Sequence, residues 1–144
     1  MRTMTYKKSA ARSAGLLSKD FKRFCDKKLE PYGLTNGLYL YLLAVYHQPG
    51  VTMTQIREYS QEDKAYTTRM IKTLETQGLI ARTKNDKDGR SWNLNLTEEG
   101  GKIMDVLYDL SKEWNQLLVT RLGQEKAKLL TELLDEASEA MITK

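Results

Sequence analysis

The stretch that most constrains this 144-residue chain is RTKNDKDGRSWNLNLT, Arg82 to Thr97. It lies in a sequence that otherwise reads as helices. Two runs alternate apolar and polar residues, Ile80 to Lys84 and Ser91 to Leu96, around a loop, NDKDGR, dense in turn formers. That pattern predicts a β-hairpin. Asp88-Gly89 is expected to supply the positive φ angles of a tight reversal, with Trp92, Leu94 and Leu96 on one face that packs down. A lone hairpin is barely stable in water, so it must lean on the helices, and what it carries outward is charge.

The helices are readable around it. Leu17, Phe21 and Phe24 recur at helical spacing, with Leu29 closing a first helix of roughly residues 10 to 30. LTNGLYLYLLAVYHQPG offers Thr35 as a cap, apolar residues on nearly every side and a Pro-Gly stop, which predicts a buried central helix. VTMTQ predicts a brief strand followed by a Thr52/Gln55 capping box and a third helix at about 53 to 60. A fourth, at about 63 to 77, ends at Gly78. Thr97 caps a fifth, with Glu98 and Glu99 where the macrodipole favours negative charge. Ile103, Leu107, Leu110, Trp114 and Leu117 then form a heptad-like seam, repeated by Ala127, Leu130, Leu134, Ala137 and Met141 in a sixth. Leu118, Leu129 and Leu133 widen the stripe beyond what one antiparallel pair covers. A second copy of the chain is the expected partner.

Charge is distributed unevenly within a net +4. Residues 1 to 28 hold nine basic and two acidic side chains, residues 64 to 97 seven and three, and residues 98 to 144 six and ten. Cation thus collects at the N-terminus and around the hairpin, which suits a polyanion. No apolar run approaches the roughly 20 residues of a membrane-spanning helix, and no signal-peptide core is seen, so a cytoplasmic protein is expected. With 40% hydrophobic residues the chain has material for one core, and a single domain over 1 to 144 is expected. One cysteine, Cys25, excludes an internal disulfide.

Three helices followed by a hairpin is the layout of a winged helix-turn-helix, whose last helix before the wing enters the DNA major groove. At 100° per residue, Thr67, Met70, Ile71 and Leu74 share one side of the fourth helix. Ala65, Arg69, Lys72 and Thr76 share the other, with Thr68 at its edge and Tyr66 beside them. Arginine grips guanine edges, lysine and threonine bond phosphates, and alanine or a threonine methyl touches a thymine methyl. Arg82, Lys84, Lys87 and Arg90 extend the contact to flanking backbone, an arginine at the tip being suited to a narrow minor groove. The expected class is therefore mostly α with a small β-hairpin wing, bearing dimerisation helices at 1–30 and 101–144 around a DNA-binding region at 31–100.

This order and these motifs resemble the MarR (multiple antibiotic resistance regulator) family. Gly33-Leu34-Thr35 matches the family's GLT, DKAYTTRMIKTLETQGLIART (Asp63 to Thr83) its recognition helix and strand entry, and DGRSWNLNLTEEG (Asp88 to Gly100) its wing. The likeness spans about residues 10 to 142. It implies a homodimer held by the first, fifth and sixth helices that binds a pseudo-palindromic operator on double-stranded DNA and usually represses. It matches Arg90 to the wing arginine of the minor groove and Asp88 to the aspartate that orients the wing. It also implies release by a small aromatic or phenolic effector, for which Phe21, Tyr39, Tyr46 and Trp114 are candidate lining residues beside their plainer role in packing. Glu62, where the family has an apolar residue, and the second glycine, Gly101, are departures.

Other chemistries fare worse. Fitted to an EF-hand with Gly89 at the sixth position, the wing places Lys84 and Asn95 at the first and twelfth ligands, and both are wrong for calcium. Asn95-Leu96-Thr97 is a formal glycosylation sequon of chance kind. His47 is the only histidine and, near a helix end, is expected to cap carbonyls. Cys25 is a candidate redox switch whose pKa the surrounding Lys22, Arg23, Lys27 and Lys28 would lower. No nucleophile–base pair or phosphate-cradling loop is present, so neither catalysis nor a cofactor is expected. A winged-helix protein-interaction module is the alternative from another class, since winged helices also serve as scaffolding and the apolar seams could bind a different partner.

Overall fold

The computed structural model describes residues 8–35 and 37–142, with side chains described as far as residue 139. The side chain of Met141, assigned above to the last seam, and the basic residues among the first seven lie outside what is described. The chain divides into two compact units, Met1–Leu107 and Tyr108–Lys144.

In the first unit, α1 (Ala10–Leu29) is capped by Ser9, whose side chain accepts from Arg12 N at 3.1 Å. A 3-10 turn (Glu30–Tyr32) holds Pro31 and ends at Gly33, φ +70°. Helix α2 (Leu38–His47) buries Leu38, Tyr39, Tyr41, Leu42, Ala44 and Val45, and so is the central helix its composition predicts. Its cap is not Thr35. Gly37, left-handed at φ +79°, takes that position, because the chain must reverse there, and the Thr35 carbonyl accepts from Leu38 N. At the other end Gln48 N donates to Ala44 O, so the backbone closes the helix and the His47 ring instead lies edge-on to Tyr46 at 5.2 Å.

Strand β1 (Val51–Thr52) leads into α3 (Met53–Ser60) through the expected capping box: Thr52 N donates to Gln55 Oε1 at 2.9 Å and Gln55 N to Thr52 Oγ1 at 3.2 Å. Gln61, the C-cap, carries the left-handed turn at φ +58°, next to exposed Glu62. Helix α4 (Lys64–Thr76) follows, then β2 (Ile80–Lys84) and β3 (Trp92–Leu96). The wing has three strands rather than two, in the order β1-β3-β2 and antiparallel throughout, with Val51 opposite Leu94 and Ile80 opposite Leu96. Helices α2, α3 and α4 pack on one another, and α2 also meets β3. Leu42, Ile56, Ile71, Leu74 and Leu94 are fully buried and form the centre of this core.

Helix α5 (Glu98–Leu122) crosses from one unit to the next, and Gly123, φ +85°, separates it from α6 (Gln124–Ile142). Its seam is buried at Ile103, Leu107 and Leu110 but open at Leu117, which is 52% exposed. In the second unit Ala127 is buried, while Leu122, Leu129, Leu133 and Leu134 stand exposed.

Candidate nucleic-acid interface

Helix α4 presents two faces as its spacing demands. Thr67, Met70, Ile71 and Leu74 are buried, whereas Ala65, Thr68, Arg69, Lys72 and Thr76 are exposed. Asp63 starts the helix by accepting from Tyr66 N at 2.7 Å. Tyr66 is half-buried: its ring tilts against Tyr41 of α2 at 6.4 Å, and the Arg69 guanidinium lies 5.7 Å from its centroid. Tyr66 thus supports Arg69 from the protein side. Thr73 and Thr76 donate their hydroxyl protons to the carbonyls of Arg69 and Lys72, at 2.8 and 2.9 Å. The Thr76 hydroxyl is therefore presented outward as an acceptor, not as the phosphate donor its residue type suggests.

The end of α4 fixes where the wing begins. Gly78, φ +76°, lets Gly78 N bond Glu75 O at 2.9 Å and Leu79 N bond Leu74 O at 3.0 Å, with buried Leu79 and Leu74 in the matching apolar positions. Thr97 then ties in from the far strand. Its amide donates to Leu79 O at 3.1 Å and its hydroxyl to Gly78 O at 2.6 Å, and it still caps α5 by accepting from Gly100 N at 3.1 Å.

The wing's loop closes differently from the tight reversal expected. Neither Asp88 nor Gly89 has a positive φ. The loop is longer than a two-residue turn, so side chains brace it. Asn85 Oδ1 accepts from the amides of Lys87 and Asp88, at 2.8 and 3.1 Å, and Asp88 Oδ1 accepts from Arg90 N at 3.0 Å. Asp88 thereby holds the backbone beneath Arg90. Lys84, Lys87 and Arg90 are exposed there, and none forms an ion pair among the described residues.

Arg82 does not join them. Its Nε donates to Glu75 Oε2 at 2.8 Å, its Nη2 donates to Glu75 Oε1, and its guanidinium lies 5.7 Å from the Trp92 ring centroid. The hydrogen bonds to Glu75 push its pKa up further. A signal for this existed in the sequence: strand parity puts Arg82 on the same face as buried Ile80 and opposite buried Leu94, facing the protein.

Cys25 and Tyr39, both buried, are hydrogen-bonded to each other. Burial pushes the Cys25 thiol up, against the lowering expected from its lysine neighbours, because those side chains point to solvent. Burial, then the Cys25 contact, likewise raises Tyr39 well above the usual phenol range. Phe21 and Trp114 are half-buried and Tyr46 is 51% exposed. Phe21, Tyr39 and Tyr46 belong to the first unit and Trp114 to the second. A groove of about 300 Å³ in the second unit is lined by other residues, Leu118, Val119, Ala127, Asn115, Lys128 and Thr131 among them. No group of three His, Cys, Asp or Glu among the described residues could hold a metal ion.

Known proteins share this architecture. Residues 34–92 match the MarR family. The HTH-type transcriptional regulator BilQ of Clostridioides difficile is 32% identical over 118 residues, covering 82% of this chain and 80% of that protein. A solved MarR transcriptional regulator from Methanosarcina mazei superposes with a TM-score of 0.84 at 26% identity, covering 92% of this chain and 96% of its own. A variant of S. aureus MepR, solved bound to an oligodeoxyribonucleotide, superposes at 0.64 with 25% identity, covering 92% and 98%. With its capped recognition-type helix, braced wing and this breadth of likeness, the chain belongs to the MarR family of transcriptional regulators.

Proposed function

We propose that this regulator binds double-stranded DNA sequence-specifically, as a homodimer on a pseudo-palindromic operator, and represses until a small aromatic or phenolic ligand releases it from the DNA. The observation that carries the reading is the exposed face of α4. Ala65, Thr68, Arg69 and Lys72 stand outward opposite a fully buried face, in a helix short enough to lie in a major groove. Arg69 and Lys72 read or grip the groove, and Arg90, with Lys84 and Lys87, takes the flanking backbone and minor groove. A relative of the same fold, MepR, has been solved on an oligodeoxyribonucleotide, which supports the reading.

The exposed leucines of α5 and α6 support self-association, with residues 1–30 and 101–144 as the dimerisation helices and 31–100 as the DNA-binding region. Two-fold symmetry sets recognition helices about 34–36 Å apart, one turn of duplex. We further read the chain as a non-enzymatic protein acting in the cytoplasm. Its relatives are regulators, and no described helix is long and apolar enough to cross a membrane.

The test is binding to a duplex selected by the wild-type protein from a randomised pool, against a scrambled duplex. Arg69→Ala should erase the preference for the selected duplex. Lys84→Ala should weaken both duplexes alike and lower the slope of log K against log salt by about 0.9, one phosphate contact. Equal losses on both duplexes for both variants would contradict this division of roles.

A further inference from the structure

The wing lacks a core where it most needs one. Along β2 only Ile80 is buried, and on β3 burial fades from Leu94, fully buried, to Trp92, 37% exposed. The outer half of a hairpin with so little apolar support is marginal in water. Arg82 sits where that support runs out, and it alone of the wing cations turns back to α4.

We propose that Arg82, gripping Glu75 with two parallel hydrogen bonds and with its guanidinium over the Trp92 ring, is a positioning residue: a strut that fixes the outer wing against α4 rather than a contact to phosphate. The proposal deepens the DNA-binding reading and rests on it. Exposed ion pairs contribute little as a rule, since two long side chains must be ordered in water. This pair differs in three ways. It is bidentate, its side chains are only 36% and 24% exposed, and an aromatic ring lies within cation–π range of the guanidinium, 5.7 Å to its centroid. Glu75 is in the last turn of α4, on the edge between its buried and outward faces, so the bond spans the two parts that must address one duplex together. Lysine cannot replace such a fork, because its ammonium is a point donor.

The two roles give opposite signs. A phosphate-binding Arg82 would be released by Glu75→Gln, which also removes an anion near the duplex, and affinity would rise. A strut would be broken, and affinity would fall. We therefore compare wild type, Glu75→Gln, Arg82→Lys and the double variant on the selected duplex by fluorescence anisotropy over a salt series. Amide hydrogen exchange is followed across β2 and β3 in the DNA-free protein.

Glu75→Gln and Arg82→Lys should each weaken binding by roughly tenfold, about 1.4 kcal/mol. The double variant should be no worse than either single one, and all three should exchange faster in the outer wing with α4 unchanged. Tighter binding by Glu75→Gln, or wild-type affinity in Arg82→Lys, overturns the strut. Should the wild type select no duplex, the DNA-binding reading fails. The strut then stands on hydrogen exchange alone and is overturned by unaltered wing exchange in Glu75→Gln.

Discussion

Replacing Gly100 by alanine should separate two adjacent glycines of α5 that look equivalent in sequence. A Cβ at Gly100 would lie 2.1 Å from the Leu79 carbonyl oxygen, 3.2 Å from its carbon and 3.3 Å from Leu96 Cδ2. A comfortable carbon–oxygen contact is about 3.3 Å, so the two backbones must part by about 1.2 Å. The Leu79 carbonyl is not at liberty to move, for it accepts from Thr97 N, and Gly78 O beside it accepts from the Thr97 hydroxyl. Losing those two hydrogen bonds costs about 2 kcal/mol, and overpacking adds about 1–3 kcal/mol. Alanine returns about 1 kcal/mol of helix propensity, leaving Gly100→Ala destabilised by about 2–4 kcal/mol. At Gly101 a Cβ meets nothing within 4 Å, so Gly101→Ala should gain about 1 kcal/mol from the same propensity. Urea midpoints followed by far-UV circular dichroism, at one fixed protein concentration, measure both. If the two variants fall within about 1 kcal/mol of each other, the close approach of α5 to the wing's root is not what selects glycine there.

Other expectations follow from the same geometry. Thr52→Ala removes the capping box of α3 and should cost about 1 kcal/mol in the same denaturation assay, with Thr52→Ser retaining most of it. Cys25 and Tyr39 are held neutral by burial, so their folded pKa values are raised. Each therefore contributes stability that is complete below its unfolded value and lost as pH climbs towards the folded one. Stability should fall above about pH 8.5, with the phenol adding its share above about pH 10, and Cys25→Ala should delay the onset. A flat profile to pH 10.5 would refute the assignment. Leu129→Glu with Leu133→Glu should shift sedimentation from dimer to monomer at micromolar concentration while leaving far-UV helicity in place, since both leucines are 52% exposed in the single chain.

Local signals carried the reading of sequence wherever structure is made locally. Helix limits, the Thr52/Gln55 box, Gly78 and the inward face of α4 all depend on residues within one or two turns of one another. Two turn assignments failed for a shared reason: Gly37 in place of Thr35, and side-chain braces in place of a positive φ at Gly89. Turn-forming residues were dense in both places, and which of them takes the special conformation depends on where the chain is aimed next. Charge groups Arg82 with the other wing cations, whereas strand parity places it on the face of Ile80 and Leu94, where its side chain meets Glu75. The third strand pairs Val51 with Leu94 across more than forty residues, a distance at which no periodicity speaks. Thr76 shows a finer limit, since its residue type fixes what it can bond but not that its proton is already given to Lys72.

The doubly tied root at Gly78 and Leu79 leaves no slack between recognition helix and wing. Strand β2 is five residues long at about 3.3 Å each, so the loop stands roughly 16–20 Å beyond the pivot. A rotation of α4 by about 10° sweeps that tip by about 3 Å, close to the 3.4 Å step between stacked bases on one strand. The wing is thus a pointer that magnifies small rotations, and on the DNA-binding reading proposed above a slight turn of the helix would misplace Arg90 by a whole step.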